Sequence, residues 1–142
     1  MGGETLLGLA AEAGERFDVE QLTALGDALS EAQSGALLGF RTTLRSLSGA
    51  QPGAESSIAK LLGVEHIQQV WETAMEWQGP AALSVGEGRG SVTASFLNAR
   101  CLSIAGGTTD VQLNIIGERL LGLPREPEVD RDVPFQDVPR SS

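Results

Sequence analysis

Tyrosine is missing altogether, and histidine and cysteine occur once each, as His66 and Cys101. A lone histidine leaves few routes to a metal cage or a catalytic triad, so no metal site is expected. A lone cysteine cannot close an internal disulfide, which predicts a reducing, cytoplasmic setting. No apolar run approaches the roughly 20 residues that cross a bilayer, so no membrane span is expected. No basic-then-apolar segment with a cleavage site opens the sequence, and no secretory leader is predicted. Positive charge is scarce as well: 10 Lys and Arg face 19 Asp and Glu, a formal net charge of -9. Such a surface repels a phosphate backbone over most of its area, which argues against nucleic acid as a partner.

What is present reads as one helical domain. With 142 residues and 41% hydrophobic content, the chain can bury a sizeable core. Thr5 to Ala13 reads as a short helix ending at Gly14. Asp18 can cap a second helix, with Gln21 three residues on for a capping box. Along that helix Leu22, Leu25, Leu29, Ala32, Ala36, Phe40, Leu44 and Leu47 recur at three- and four-residue steps. The spacing predicts one continuous buried stripe with Phe40 in the core. Gly49 to Gly53 makes a turn, and a third helix is expected from Glu55 to Gln78, stopped by Gly79-Pro80. A glycine-rich stretch from Val85 to Gly90 precedes a short helix over Val92 to Ile104, and the last helix is expected from Thr109 to Leu121. From Pro124 on, prolines and charges leave nothing to bury, which predicts an extended or disordered tail. Three long helices and a shorter pair make an all-α, antiparallel up-and-down bundle over residues 1–123, with 124–142 as the tail.

The chemistry concentrates in residues 100 to 125. A helical run breaks at Gly106-Gly107, and Thr108 or Thr109 can cap a new helix. Adjacent glycines let backbone amides approach a ligand closely, and a helix N-terminus offers unpaired N–H groups. On the residues alone, the pair reads better as a plain helix–helix turn, with Thr108 or Thr109 a plain cap. Trp71 and Trp77 lie on an apolar helix and read as packing, and Cys101 as a small buried hydrophobe. His66, between Glu65 and Gln69, reads as a solvated surface residue. Arg41, Lys60 and Arg119 read as surface ion-pair partners of Glu65, Glu72, Asp110 or Glu118. Arg100, just before the turn, is the one cation set apart from that reading by its place beside the glycines.

The string from Arg100 to Arg125 resembles the C-terminal signature of acyl-CoA dehydrogenases, and the likeness extends over residues 2 to 125. Ser57 to Gly63 with Glu65, Glu72 and Gly79-Pro80 is similar to the penultimate long helix of the actinobacterial-type members, and Gly39-Phe40-Arg41 lies where the family carries an arginine. The resemblance implies the C-terminal helical domain of a flavoprotein of lipid metabolism that uses FAD to desaturate an acyl-CoA thioester between Cα and Cβ. An electron-transfer flavoprotein would be the oxidant, and the enzyme would be an oligomer. Carried over residue by residue, Gly107, Thr108, Asp110 and Gln112 become cofactor-binding candidates, and Ala105, Gly106 and Arg100 lie near the substrate.

Three departures accompany the likeness. Asp110 stands where the family prefers Glu or Gln. Gly106 stands where many members carry the glutamate that removes the α-proton, and the alternative position of that base, on the first helix of the domain, would fall just before Met1. No catalytic base is therefore expected within these residues. The pair that receives a partner subunit's ADP moiety would fall at Glu76 and Pro80, where a carboxylate opposes a pyrophosphate and proline offers no N–H. Two readings stay open: a C-terminal domain or split subunit that is inactive by itself, and a non-catalytic subunit that docks on an active dehydrogenase. Either predicts a homo- or hetero-oligomer with another dehydrogenase polypeptide. The expected contact surfaces are the face carrying Ile115, Leu120 and Leu121 and the loop from Pro80 to Val85.

Overall fold

The computed structural model describes residues 2–14, 17–50, 53–83, 91–125, 127, 133–134 and 137–138. Among these, five α-helices occur in the order α1 Gly2–Ala13, α2 Val19–Leu47, α3 Glu55–Gln78, α4 Val92–Ala99 and α5 Thr109–Arg119, with no strand. Short 3-10 turns follow α3 (Gly79–Leu83) and α4 (Arg100–Ser103). Two helices are long and three short, one long helix fewer than the periodicity suggested. The glycine-rich stretch and most of the tail lie outside the described residues.

The helix boundaries follow from local chemistry. Asp18 accepts from the Gln21 backbone N–H at 2.8 Å while the Gln21 side chain accepts from Asp18 N–H at 3.1 Å, the reciprocal capping box that starts α2. Ser91 and Thr108 cap α4 and α5 by the same chemistry, accepting from the backbone N–H of Ala94 and Val111. Gly79, at φ +56, ends α3, and Pro80 then continues into a 3-10 turn. The segment expected as a helix to Ile104 tightens to 3-10 geometry after Ala99.

α3 is the central strut. Leu6 of α1, Val70 and Ala74 of α3 and Val92 of α4 form the buried centre, flanked by Leu9, Leu25, Ala28, Trp71, Met75 and Trp77. Trp77 meets the edge of Phe17 at 4.6 Å between centroids, so both tryptophans are packing residues. A buried hydroxyl pins α4 beside the preceding 3-10 turn, Thr93 Oγ1 donating to Ala82 O at 2.6 Å. α2 and α3 run antiparallel, because Arg45 meets Glu55 at the connecting turn while Glu31, a few turns back along α2, meets His66, farther along α3.

The leucine stripe of α2 corrects the sequence reading. No residue of α2 is buried, and Leu22, Leu37, Phe40, Leu44 and Leu47 are all exposed, Phe40 by 62%. At about 100° per residue these side chains lie along one side of the helix. The side turned to α3 carries Ala28, Ala32, Gly35 and Leu38, the last three lining a cleft between the two helices. The periodicity was real, but within the stripe only Leu25 packs against the core and Leu29 is half-buried, while Leu22, Phe40, Leu44 and Leu47 face outward. Near the C-terminus α5 ends at Arg119, leaving Leu120 and Leu121 exposed.

Candidate functional site

The turn between the 3-10 segment and α5 is built on two positive backbone angles. Ile104 and Ala105 close the 3-10 segment by donating to Cys101 O at 3.0 and 2.8 Å. Gly106 (φ +69) and Gly107 (φ +98) then reverse the chain, a conformation that strains any residue with a Cβ. Thr108 resumes extended geometry and caps α5, its Oγ1 accepting from Val111 N–H at 3.3 Å and its carbonyl from Gln112 N–H at 3.0 Å.

Two side chains hold the turn from beneath. Gln112 is 8% exposed, and its Nε2 donates to Gly106 O at 3.1 Å. Lys60, half-buried on α3, donates from Nζ to Gly107 O. A Cβ on Gly107 would lie 2.4 Å from Gln112 Nε2, so the clasp closes against bare backbone. Ala105, Gly106, Thr108, Thr109 and Asp110 remain exposed, and the outer surface of the turn is smooth and accessible. Asp110, in the first turn of α5, complements the positive end of the helix.

The structure brings together Ala105, Gly106, Gly107, Thr108, Asp110 and Gln112 at this one turn and its following helix. Arg100 is committed elsewhere: its guanidinium meets Glu72 Oε1 at 2.5 Å and lies 4.8 Å over the Phe96 ring. Lys60 escaped the sequence reading, which placed it in a surface ion pair; nothing in the spacing says that this turn of α3 faces residue 107. His66 was also misplaced. Its ring is largely covered and its Nδ1 lies 3.1 Å from Glu31 Oε2, across the α2–α3 seam. Cys101 is exposed, not buried, with Sγ 3.7 Å from Asn98 Oδ1. Among the described residues one ionisable group is clearly perturbed: the Glu55 carboxyl is held below its ordinary value by its own backbone N–H and then by Arg45 at 2.5 Å.

Cavities lie away from the turn. A cleft of about 540 Å³ between α2 and α3 is lined by Glu31, Leu38, Leu62, Glu65, His66 and Gln69, and a second of about 280 Å³ lies beside Arg45 and Glu55. Neither cleft includes the glycine turn, which is exposed on its outer side. Its Cβ-free exposed surface at a helix N-terminus leaves room for close approach of a flavin ring. Glu76 and Pro80, both exposed, do not fit the pyrophosphate of the same cofactor, for want of a donor and because of the carboxylate charge. Among the described residues no cluster of His, Cys, Asp and Glu suits a metal ion, and no helix is long and apolar enough to cross a membrane.

Residues 21–121 match the family profile described as acyl-CoA dehydrogenase, C-terminal domain. The acyl-CoA dehydrogenase FadE34 of Mycobacterium tuberculosis is 45% identical over 113 residues, 77% of this chain and 15% of that protein. The acyl-CoA dehydrogenase IpdE1 of Mycolicibacterium smegmatis is 38% identical over 84 residues, 58% of this chain and 21% of that protein. IpdE1 of Mycobacterium tuberculosis is 33% identical over 108 residues, 75% of this chain and 27% of that protein. The chain thus spans less than a third of the length of each of these relatives. No solved structure gives a significant match. The profile match covers most of the bundle, including the glycine turn and all of α3, α4 and α5, and the chain belongs to the acyl-CoA dehydrogenase family, as its C-terminal helical domain.

Proposed function

We propose that this chain is the C-terminal domain or a split subunit of an FAD-dependent dehydrogenase that desaturates an acyl-CoA thioester between Cα and Cβ. The observation that carries this reading is the Gly106-Gly107 turn at the head of α5, exposed on its outer side and clasped on its inner side by Gln112 and Lys60. FAD, with its ring beside Gly106, Gly107 and Thr108, would supply the acceptor for the hydride leaving Cβ. Gly106 and Gly107 permit close approach of a flat ring, and Thr108 presents its backbone N–H beside them. Ala105 and Gly106 border the thioester end of the substrate. Gly106 has no side chain to take the α-proton, so a carboxylate from elsewhere in the assembled enzyme does so. Electrons leave to an electron-transfer flavoprotein in the cytoplasm.

The same reading requires a partner surface. Leu22, Leu37, Phe40, Leu44 and Leu47 form an exposed apolar face on α2. With five large apolar side chains along one side of a single helix, it is a candidate for contact with another dehydrogenase polypeptide, of the same or a different sequence, beside the surface at Leu120 and Leu121. A second reading, a non-catalytic docking subunit, is favoured by Glu76 and Pro80, which do not suit the ADP half of the cofactor. One experiment separates them. Dye reduction with acyl-CoA is measured for the chain alone, for a dehydrogenase polypeptide carrying the flavin and base, and for the two combined. The enzyme-part reading expects no turnover alone and turnover on combination that is lost when Gly107 is replaced by Val. Turnover by the partner that is indifferent to this substitution favours docking, and turnover by this chain alone refutes both.

A further inference from the structure

The two carbonyls of the glycine turn are held from two different helices. Gln112 Nε2, on α5, donates to Gly106 O, and Lys60 Nζ, on α3, donates to Gly107 O. In a trans peptide the N–H of the next residue points opposite the carbonyl, and the described residues contain no cis bond. Fixing the Gly106 carbonyl toward Gln112 therefore aims the Gly107 N–H away from it. Fixing the Gly107 carbonyl toward Lys60 aims the Thr108 N–H away from α3. Neither N–H has a hydrogen-bond partner among the described residues.

We propose that Lys60 is a positioning residue, whose ammonium group clasps Gly107 O and, together with Gln112, presents the Gly107 and Thr108 N–H groups outward as a pair of donors for the electron-rich edge of a bound ring. The nature of that ring rests on the flavin reading given above; the clasp does not. Lys60 is suited to the role for two reasons. An ammonium-to-carbonyl bond is charge-assisted and stronger than a neutral one. The side chain is also half-buried on the central helix, so its reach is constrained by packing. Removing it would free one peptide plane of the turn and leave the plane held by Gln112 in place, so the effect should centre on Gly107 and Thr108.

The test is nuclear magnetic resonance on the full, flavin-free chain. In the unaltered protein a through-hydrogen-bond coupling between Lys60 Nζ and the Gly107 carbonyl carbon is expected, which needs no variant. Lys60→Met should move the Gly107 carbonyl and Thr108 amide resonances and lower the heteronuclear NOE at both residues, while Gly106 and its bond to Gln112 change little. Lys60→Arg, which keeps a charged donor, should restore most of the parent spectrum. With FAD titrated into the chain, the Met variant should respond with an apparent Kd about tenfold weaker. Absence of the coupling, or a Gly107 carbonyl that does not move in Lys60→Met, overturns the proposal. A failure of the flavin reading looks different: FAD then leaves the turn unmoved in the parent chain, while the coupling and the Met-variant shifts persist.

Discussion

Replacing Gly107 with Ala should cost far more than the same change one residue earlier. Both glycines have positive φ, +69 at Gly106 and +98 at Gly107, and a Cβ in left-handed backbone costs about 1–2 kcal/mol. At Gly106 a Cβ meets nothing within 4 Å, so the backbone cost is the whole cost. At Gly107 it would lie 2.4 Å from Gln112 Nε2, and Gln112 is 8% exposed with its amide bonded to Gly106 O. The amide must move, and a buried polar group that loses its partner costs about 1–3 kcal/mol. Gly107→Ala should therefore destabilise by about 2–5 kcal/mol and Gly106→Ala by about 1–2 kcal/mol. Urea unfolding followed by circular dichroism gives both values, with the midpoint read at constant slope. Repeating the pair in a Gln112→Ala background isolates the clash, because the gap between the two glycines should then close. Equal costs in the parent chain, or a gap that survives without Gln112, would refute this account of the turn.

Other substitutions follow from burial. Leu6 is fully buried at the centre, so Leu6→Ala should cost about 2–5 kcal/mol, read from the urea midpoint. Phe40→Ser with Leu44→Ser should change monomer stability by less than about 1 kcal/mol, because both side chains are exposed, yet weaken association in analytical ultracentrifugation. The Glu55 carboxyl is depressed, so its contribution is present above the unfolded value of about 4.3 and is lost as pH falls through the folded value. The stability difference between the parent chain and Glu55→Gln should therefore begin to shrink as pH falls past the unfolded value, vanish only below the folded one, and shrink in high salt.

Local signals were the legible part of the sequence. The capping box at Asp18 and Gln21, the Thr108 cap and the glycine stop at Gly79 depend on neighbours within four residues, and each stands where its residues predict. The all-α architecture follows from them. Orientation was not legible. Periodicity showed that α2 is amphipathic, yet a stripe of leucines looks the same whether it meets its own core or another polypeptide. Leu25 and Ala28 are the α2 residues that pack against the core, and nothing in the local spacing singles them out from Leu22 or Phe40. The clasp was half legible: Gln112 lies a helical turn from Thr108, but Lys60 reaches Gly107 across 47 positions of sequence. His66 and Arg100 likewise found partners, Glu31 and Glu72, that no local spacing indicates.

The central claim is that the turn at Gly106 to Thr108 is one wall of a flavin site, and it can be mapped directly on the isotopically labelled chain. FAD is titrated to millimolar concentration while the backbone amide resonances are followed. A single wall implies weak binding that does not survive gel filtration, with shifts concentrated in residues 105–112 and abolished by Gly107→Val. Shifts confined to the α2–α3 cleft around Glu31 and His66, or no response at the turn at any concentration, would contradict the claim.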